Sequence, residues 1–427
     1  MLIILPHQLF DKKHLKFAKN EKILLWEHPQ YFTKYKYNKK RLVLHFATML
    51  YYKDYLKKAG YNVEIVKTLP SNEQLTIFDP IDKIDIPECS VIESPNFLLT
   101  KDDYAKYRKK TDKFFFNAFY MWGKKVIDVI PNVKSKDKDN RKRMPKDLEI
   151  PKLPNGTSKT NQKYITQAIK RVEKEFPDNY GSCEDFFYPI THTDAKRWLR
   201  AFINKKFAKF GDYQDFIDKD NDFLFHSVLS AVINIGLINP DDIIQEIEKH
   251  KAKIPMNSYE GYIRQLFWRE YQRYCYIYFD FNGLNYFGNT GKLNKAWYDG
   301  TLGIEPVDDA IHKAFDTGYL HHIYRLMVVG NFMNLSGIDP MEGFKWFMEF
   351  SCDSYEWVMY QNVLDMVFFV SGGKTMRRPY MSSSNYVLKM SNYKKGPWAE
   401  KWTDMYHAFI KKNKDKLKRF RYFIRVK

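Results

Sequence analysis

The chain has 427 residues, 44% hydrophobic and 17% aromatic, which is too much for one ordinary core and leaves little room for disorder. Its 70 Lys and Arg against 51 Asp and Glu give a formal charge of +19, consistent with either a polyanionic partner or a lysine-rich solvated surface. The four cysteines (Cys89, Cys183, Cys275, Cys352) show no CxxC spacing, and no window reaches the roughly 18 apolar residues of a membrane span. A zinc ribbon, a disulfide framework and a membrane anchor are therefore not expected; a soluble, cytoplasmic monomer is.

Short apolar runs at Leu2–Leu5, Ile23–Trp26, Val63–Val66 and Val91–Glu93 predict strands. Between the second and third, Leu42, His45, Phe46, Met49 and Tyr52 recur at helical spacing, so residues 1–132 read as a parallel α/β domain. No GxGxxG follows the first strand, which argues against a dinucleotide-binding dehydrogenase. Residues 133–187 turn polar and Pro-containing and read as an interdomain linker. Residues 188–427 carry aromatic residues at helical spacing and predict a large all-α domain, ending in a basic tail from Lys411 to Lys427.

Four segments carry chemistry. In Gly318–Met327, His321 and Arg325 share a helical face and His322 lies beside them. An imidazole beside a guanidinium suits general acid work, although two hydrogen-bonded helix histidines are the plainer reading of the residues alone. In Gly261–Tyr271, Arg264 with Trp268 and Gln265 with Arg269 are spaced i, i+4. They would offer an aromatic plane and guanidinium groups to a flavin, an adenine or a base, or simply a core helix with a surface pair. Phe210–Asp215 followed by His226, Ser227 and Ser230 places small hydroxyls on an early helical turn, as phosphate ligands or as caps. Finally Asp353–Trp357, Gly372–Gly373 and the Arg377–Tyr386 segment suggest a loop closing over an anion or nucleotide.

Taken in order, these segments, with His7-Gln8-Leu9, Asp139 to Pro145, and Asn362-Val363, resemble the photolyase–cryptochrome family, in its prokaryotic photolyase-related branch of iron–sulfur bacterial cryptochromes and (6-4) photolyases. The resemblance implies an N-terminal α/β antenna domain, a C-terminal helical domain holding FAD, and UV-damaged DNA as partner. It assigns FAD contacts to Tyr213, Gln214, His226, Ser227, Ser230, Gln265, Arg269, Asn331, Asp353, Glu356, Trp357, Met359 and Asn362. It implies electron transfer through Trp346, Phe347 and Tyr298, and DNA contacts from Arg141, Lys142, Arg143, Arg264, Trp268 and Arg378. His322 becomes the proton donor to a flipped-out (6-4) lesion, oriented by His321 and Arg325. A lumazine-type antenna chromophore would lie near His7 to Leu9 and Glu27. The alternative is a cryptochrome-like photoreceptor that binds FAD without repair.

Two departures qualify the likeness. The positions where the branch carries cluster cysteines fall here at Pro306, Lys394, Pro397 and near Glu400, so no iron–sulfur cluster and no other metal is expected, with Trp398 and Trp402 filling that region. Met359-Tyr360-Gln361 stands where the family often has Glu-Leu-Pro beside the flavin.

Overall fold

The computed structural model describes residues 1–71 and 73–422. Five short strands, β1 (Leu2–Ile4), β2 (Lys22–Trp26), β3 (Asn62–Val66), β4 (Thr76–Phe78) and β5 (Ser90–Ile92), form an all-parallel sheet in the order β3-β2-β1-β4-β5. The central strand β1 is apolar and buried at every position, as a strand covered on both faces must be. It sets Leu2 opposite both Ile23 and Thr76. β4 is the strand that sequence reading missed: three residues following a polar stretch show no usable alternation.

Helix α1 (Lys39–Lys58) starts where the Asn38 side chain accepts the Lys40 N–H at 2.8 Å, and it crosses from β2 to β3. Helix α2 (Lys101–Lys110) opens on a Thr100–Asp103 capping box. Helix α3 (Phe116–Val126) follows. Helix α4 (Gln162–Glu175) lies inside the segment expected to be a linker. There Tyr164, Ile165, Ala168 and Val172 form a buried stripe and the helix lies against α1, with the Tyr164 hydroxyl donating to Asp54 at 2.7 Å. Arg171 of α4 clasps Glu27 with bonds of 2.6 and 2.7 Å, just past β2.

The remainder is helical: α5 (His192–Lys205), α6 (Phe207–Tyr213), α7 (Ser230–Asn234), α8 (Pro240–Glu248) and the long α9 (Met256–Tyr278), then further helices to Phe420. α9 joins the two halves. Its Glu270 accepts the Leu98 and Leu99 N–H groups and the Tyr104 hydroxyl, and its Arg273 reaches Asp79 at 3.0 Å and Glu93 at 2.8 Å. One continuous hydrophobic core runs through both halves, so the sheet and the helices hold each other in fixed register. The described part of the basic tail ends at Tyr422; the rest lies outside the described residues. No helix among the described residues is long and apolar enough to cross a membrane.

Candidate active site

A cavity of about 640 Å³ opens among α6, α7, α9 and the segments 319–326 and 358–367. That volume suits a sizeable organic ligand. Its wall departs from regular helix in several places. Tyr324–Gly330 and Tyr360–Val367 are π-helical, and Val228 takes a φ of 53°, a costly conformation for a β-branched residue. Such departures concentrate where side chains must be aimed at a ligand.

Gly318 starts the histidine segment. Its φ is +68°, and a Cβ there would lie 2.5 Å from the Cys352 sulfur. The chain therefore turns sharply, and His321 sits just before the helix rather than on it. This corrects the expectation that the two histidines share one helix. His321 is buried and stacks on His226 at 4.6 Å, 18° between planes, and its Nε2 finds no protein partner. His226 bonds the Gln214 carbonyl through Nε2 and leaves Nδ1 unpaired. Burial pushes His226 down to about 4 and His321 well below its usual range, so both are neutral.

His322 points into the cavity, which is the source of its exposure. The protein around it, with Arg325 and Arg264 nearby, lowers its imidazole to about 4. Arg325 does not orient His322 by a hydrogen bond. It binds Asp353 through both guanidinium nitrogens at 2.9 and 3.2 Å and the Leu320 carbonyl through Nε at 2.6 Å. Burial would raise the Asp353 carboxyl, but Arg325 and hydrogen bonds from Ser230 and Ser351 outweigh it and hold the carboxyl below its usual range.

Of the expected cofactor contacts, Gln214, His226, Ser227, Ser230, Gln265, Arg269, Asp353, Met359 and Asn362 line the cavity. Four do not. Tyr213 packs with Phe216, Leu224 and Phe225, and Asn331 is buried in hydrogen bonds to Ser382. Glu356 pairs with Lys34 at 2.5 Å. Trp357 lies behind the wall, its ring 4.9 Å from the Arg269 guanidinium. Arg269 is anchored by Asn234 and the Asn96 carbonyl, and burial lowers it only to about 10, so it stays charged.

Among the expected DNA contacts, Arg141, Arg264 and Trp268 reach the cavity. Arg264 lies 2.9 Å from Asp137, and Arg141 pairs with Asp137 and Asp215. Lys142 is held by Asp212 away from the lining, Arg143 is exposed, and Arg378 lies over Tyr380, whereas its neighbour Arg377 lines the site. Sequence reading missed Phe115, Phe116 and Asn117, which come from the N-terminal half; the Phe114-Phe115-Phe116 run was the available signal.

Phe347 lines the cavity and begins a file of rings: Trp346 at 5.2 Å, then Phe315 at 5.6 Å, then Tyr298 at 5.9 Å, whose hydroxyl bonds Glu349. The expected antenna contacts are engaged within the protein. His7 bonds the Pro80 carbonyl, Gln8 the Phe78 carbonyl, and Glu27 holds Arg171. In the region of Lys394 and Pro397, Trp398 and Trp402 are buried with centroids 6.1 Å apart, and Tyr393 bonds Asp309 at 2.9 Å. Among the described residues no group of three or more His, Cys, Asp or Glu is placed to hold a metal ion.

Residues 2–84 and 79–188 match the family described as deoxyribodipyrimidine photo-lyase-related protein. A (6-4) photolyase of Agrobacterium fabrum is 37% identical over 297 residues, which is 66% of this chain and 58% of that relative. Over residues 2–188 the chain is thus photolyase-related in sequence. An uncharacterised protein, R855, of Acanthamoeba polyphaga mimivirus is 56% identical over 93 residues, covering 22% of this chain and 76% of that protein. In fold, a bacterial class III photolyase from Agrobacterium tumefaciens superposes with a TM-score of 0.64 at 15% identity, covering 98% of this chain and 91% of that one. A Synechocystis cryptochrome gives 0.60 at 13% identity, covering 98% and 89%. The α/β-plus-helical architecture read from the sequence is thus that of photolyases and cryptochromes.

Proposed function

We propose that this chain is a light-dependent DNA repair enzyme of the (6-4) photolyase type, with FAD in the cavity and His322 as proton donor. The observation that carries the reading is His322 facing a cavity of about 640 Å³ whose lining brings Ser227, Ser230, Gln265, Arg269 and Asn362 together. Ser227, Ser230, Gln265 and Asn362 fit the hydroxyls, phosphates and ring edges of a flavin nucleotide. When bound, reduced and photoexcited, FAD supplies the electron that opens the lesion.

The chain's own groups do the rest. Arg269 holds a positive charge at the wall, and Arg325–Asp353 fixes the floor beside His322. Arg264, Arg141 and Trp268 stand where phosphates and an unstacked base would enter a site that admits a flipped nucleotide. His322 is neutral in the free protein. An anionic ligand nearby raises an imidazole's affinity for protons, so lesion binding would load the proton that His322 then gives to the electron-rich lesion. The electron lent to the lesion would come back to the flavin site when the lesion splits, so repair is redox-neutral. The file from Phe347 to Tyr298 would serve only to bring electrons from an external reductant to an oxidised flavin. With no cysteine at Pro306, Lys394, Pro397 or Glu400, the protein works without an iron–sulfur cluster. Met359, in the lining, keeps the photoreceptor reading as the alternative.

Light-dependent loss of (6-4) products from an irradiated oligonucleotide tests the proposal. His322→Ala is expected to retain FAD absorption and lose at least about 100-fold in repair, the usual worth of a positioned acid. If neither wild type nor His322→Ala repairs, the enzyme reading fails and the receptor stands. Iron and acid-labile sulfide on anaerobically purified protein test the cluster; stoichiometric iron would refute its absence.

A further inference from the structure

The basic tail takes no part in the site described above. From Lys411 to Tyr422 five lysines and two arginines stand against one carboxylate, Asp415. Asn413, Leu417 and Phe420 recur at helical spacing and are buried, Phe420 against Phe369 with centroids 5.2 Å apart, so the apolar face of this segment is already spent on the fold. The Tyr286 hydroxyl ties the segment down by donating to the Lys416 carbonyl at 2.7 Å, and Arg419 donates to the Gly372 carbonyl. The lysines and arginines are left on the exposed side, and among the described residues none of these cations forms an ion pair. Lys416, Lys418, Arg419 and Arg421 border an open cleft of about 500 Å³ together with the rings of Tyr286 and Tyr422, and Asp415 is the one carboxylate on it. Tyr422 is 87% exposed. The cleft shares no lining residue with the cavity proposed to hold FAD.

Uncompensated like charges repel, so a cluster that the fold does not use destabilises the chain until an anionic partner offsets it. An anionic bilayer is poorly matched, because the segment has no apolar face left to insert. A phosphate group alone would engage the cations and leave both phenol rings idle. A single strand of nucleic acid uses both: its phosphates pair with the cations, and its unstacked bases lie on the rings. We propose that this cleft is a second nucleic-acid site, which binds single strands without reading their sequence and stands apart from the cavity. In a duplex the bases stack on one another and offer no free face to Tyr286 or Tyr422, so duplex is held here by charge alone. The proposal does not depend on the photochemistry argued above.

Binding of a short, undamaged oligothymidylate to the whole chain in darkness, read by fluorescence anisotropy, tests the site. Tyr422→Ala should weaken binding roughly tenfold, the loss of one base–aromatic stack, and Tyr422→Phe should restore it. Lys416→Gln, Lys418→Gln and Arg421→Gln combined should flatten the dependence of log affinity on log salt by about 2. These side chains are all exposed, so the core is left intact, and an unchanged thermal midpoint checks this. Lys57→Gln, Lys58→Gln and Lys110→Gln combined remove the same charge from exposed positions elsewhere and should change the slope far less. Equal flattening by the two triple variants would overturn the proposal, because the tail would then be only a share of the general positive field. Unchanged binding by Tyr422→Ala would overturn it as well, by leaving the bases without a platform. No light and no lesion enter this experiment, so its failure is distinct from a failure of the repair reading.

Discussion

Two interior regions hold polar atoms without protein partners, and they differ in what lies beside them. At the cavity, His226 Nδ1, His321 Nε2 and Gln214 Oε1 belong to residues that border open volume. At the seam between the sheet and the helical half, His7 Nδ1, Tyr31 Oη, His45 Nδ1 and two nitrogens of Arg41 are packed among rings. His7 lies 4.7 Å from Tyr31 and 5.3 Å from Tyr355, and the Arg41 guanidinium sits 4.3 Å over Tyr37. An unpaired atom beside a cavity can be met by a ligand. One wedged among rings can only keep its group in the less costly protonation state. The same chemical signal therefore accompanies open volume in one place and marks latent electrostatic stress in the other.

The comparison breaks most severely at the cavity's two-pronged ion pair, Arg325–Asp353. Arg325→Ala would leave Asp353, 8% exposed, as a buried carboxylate without its counterion. A loss of about 3–5 kcal/mol in urea unfolding at neutral pH is expected, as for other buried pairs deprived of one member. Arg325→Lys should recover only part of it, because one ammonium cannot replace the two-pronged contact. An unmoved unfolding midpoint in Arg325→Ala would show that the pair contributes nothing to the fold.

At the seam the expected effect is smaller and depends on acid. Burial pushes His7 down to about 3 and His45 well below its usual range. Both are neutral in the fold but take up a proton in the unfolded chain below about pH 6.5. The unfolded chain binds more protons in that window, so stability falls as pH drops from about 6.5 towards 3, by up to about 1.4 kcal/mol per pH unit for each histidine. His7→Gln keeps a donor for the Pro80 carbonyl and should flatten the slope by about one histidine's share. A slope identical to wild type would mean that His7 titrates normally.

These contrasts also show what the sequence could and could not disclose. Helix α1 and four of the five strands were legible because their apolar residues repeat with one period. α4 was missed although Tyr164, Ile165, Ala168 and Val172 are spaced for one face, because the segment begins in a run of lysines and prolines. Much of the cavity lining was legible from ordered motifs, yet motif position could not separate Ser230, which faces the cavity, from Asn331, which bonds Ser382 behind it. That distinction depends on helix rotation and on the π-helical turns at 324–330 and 360–367, which no periodicity announces. Phe115 and Phe116 stood out only as an aromatic run, and their place in the cavity follows from the packing of α3 on α9.

The last expected effect runs the other way and would sharpen the comparison most. Asp82, 4% exposed, accepts the Trp357 N–H at 2.8 Å, and burial together with the nearby Glu356 raises its carboxyl to about 8. The folded protein then keeps a proton there that the unfolded chain releases near its ordinary value, so the folded state binds more protons between about pH 4 and 8. Stability from this group is present at the acid end and is lost as pH rises through that window. Asp82→Asn retains an acceptor for Trp357 and carries no charge at any pH. It should therefore be more stable than wild type at pH 8 by about 1 kcal/mol or more, with the difference shrinking towards pH 4. If Asp82→Asn is less stable at pH 8, the seam is held together by that carboxylate, and its unpaired atoms would no longer be a mark of electrostatic stress.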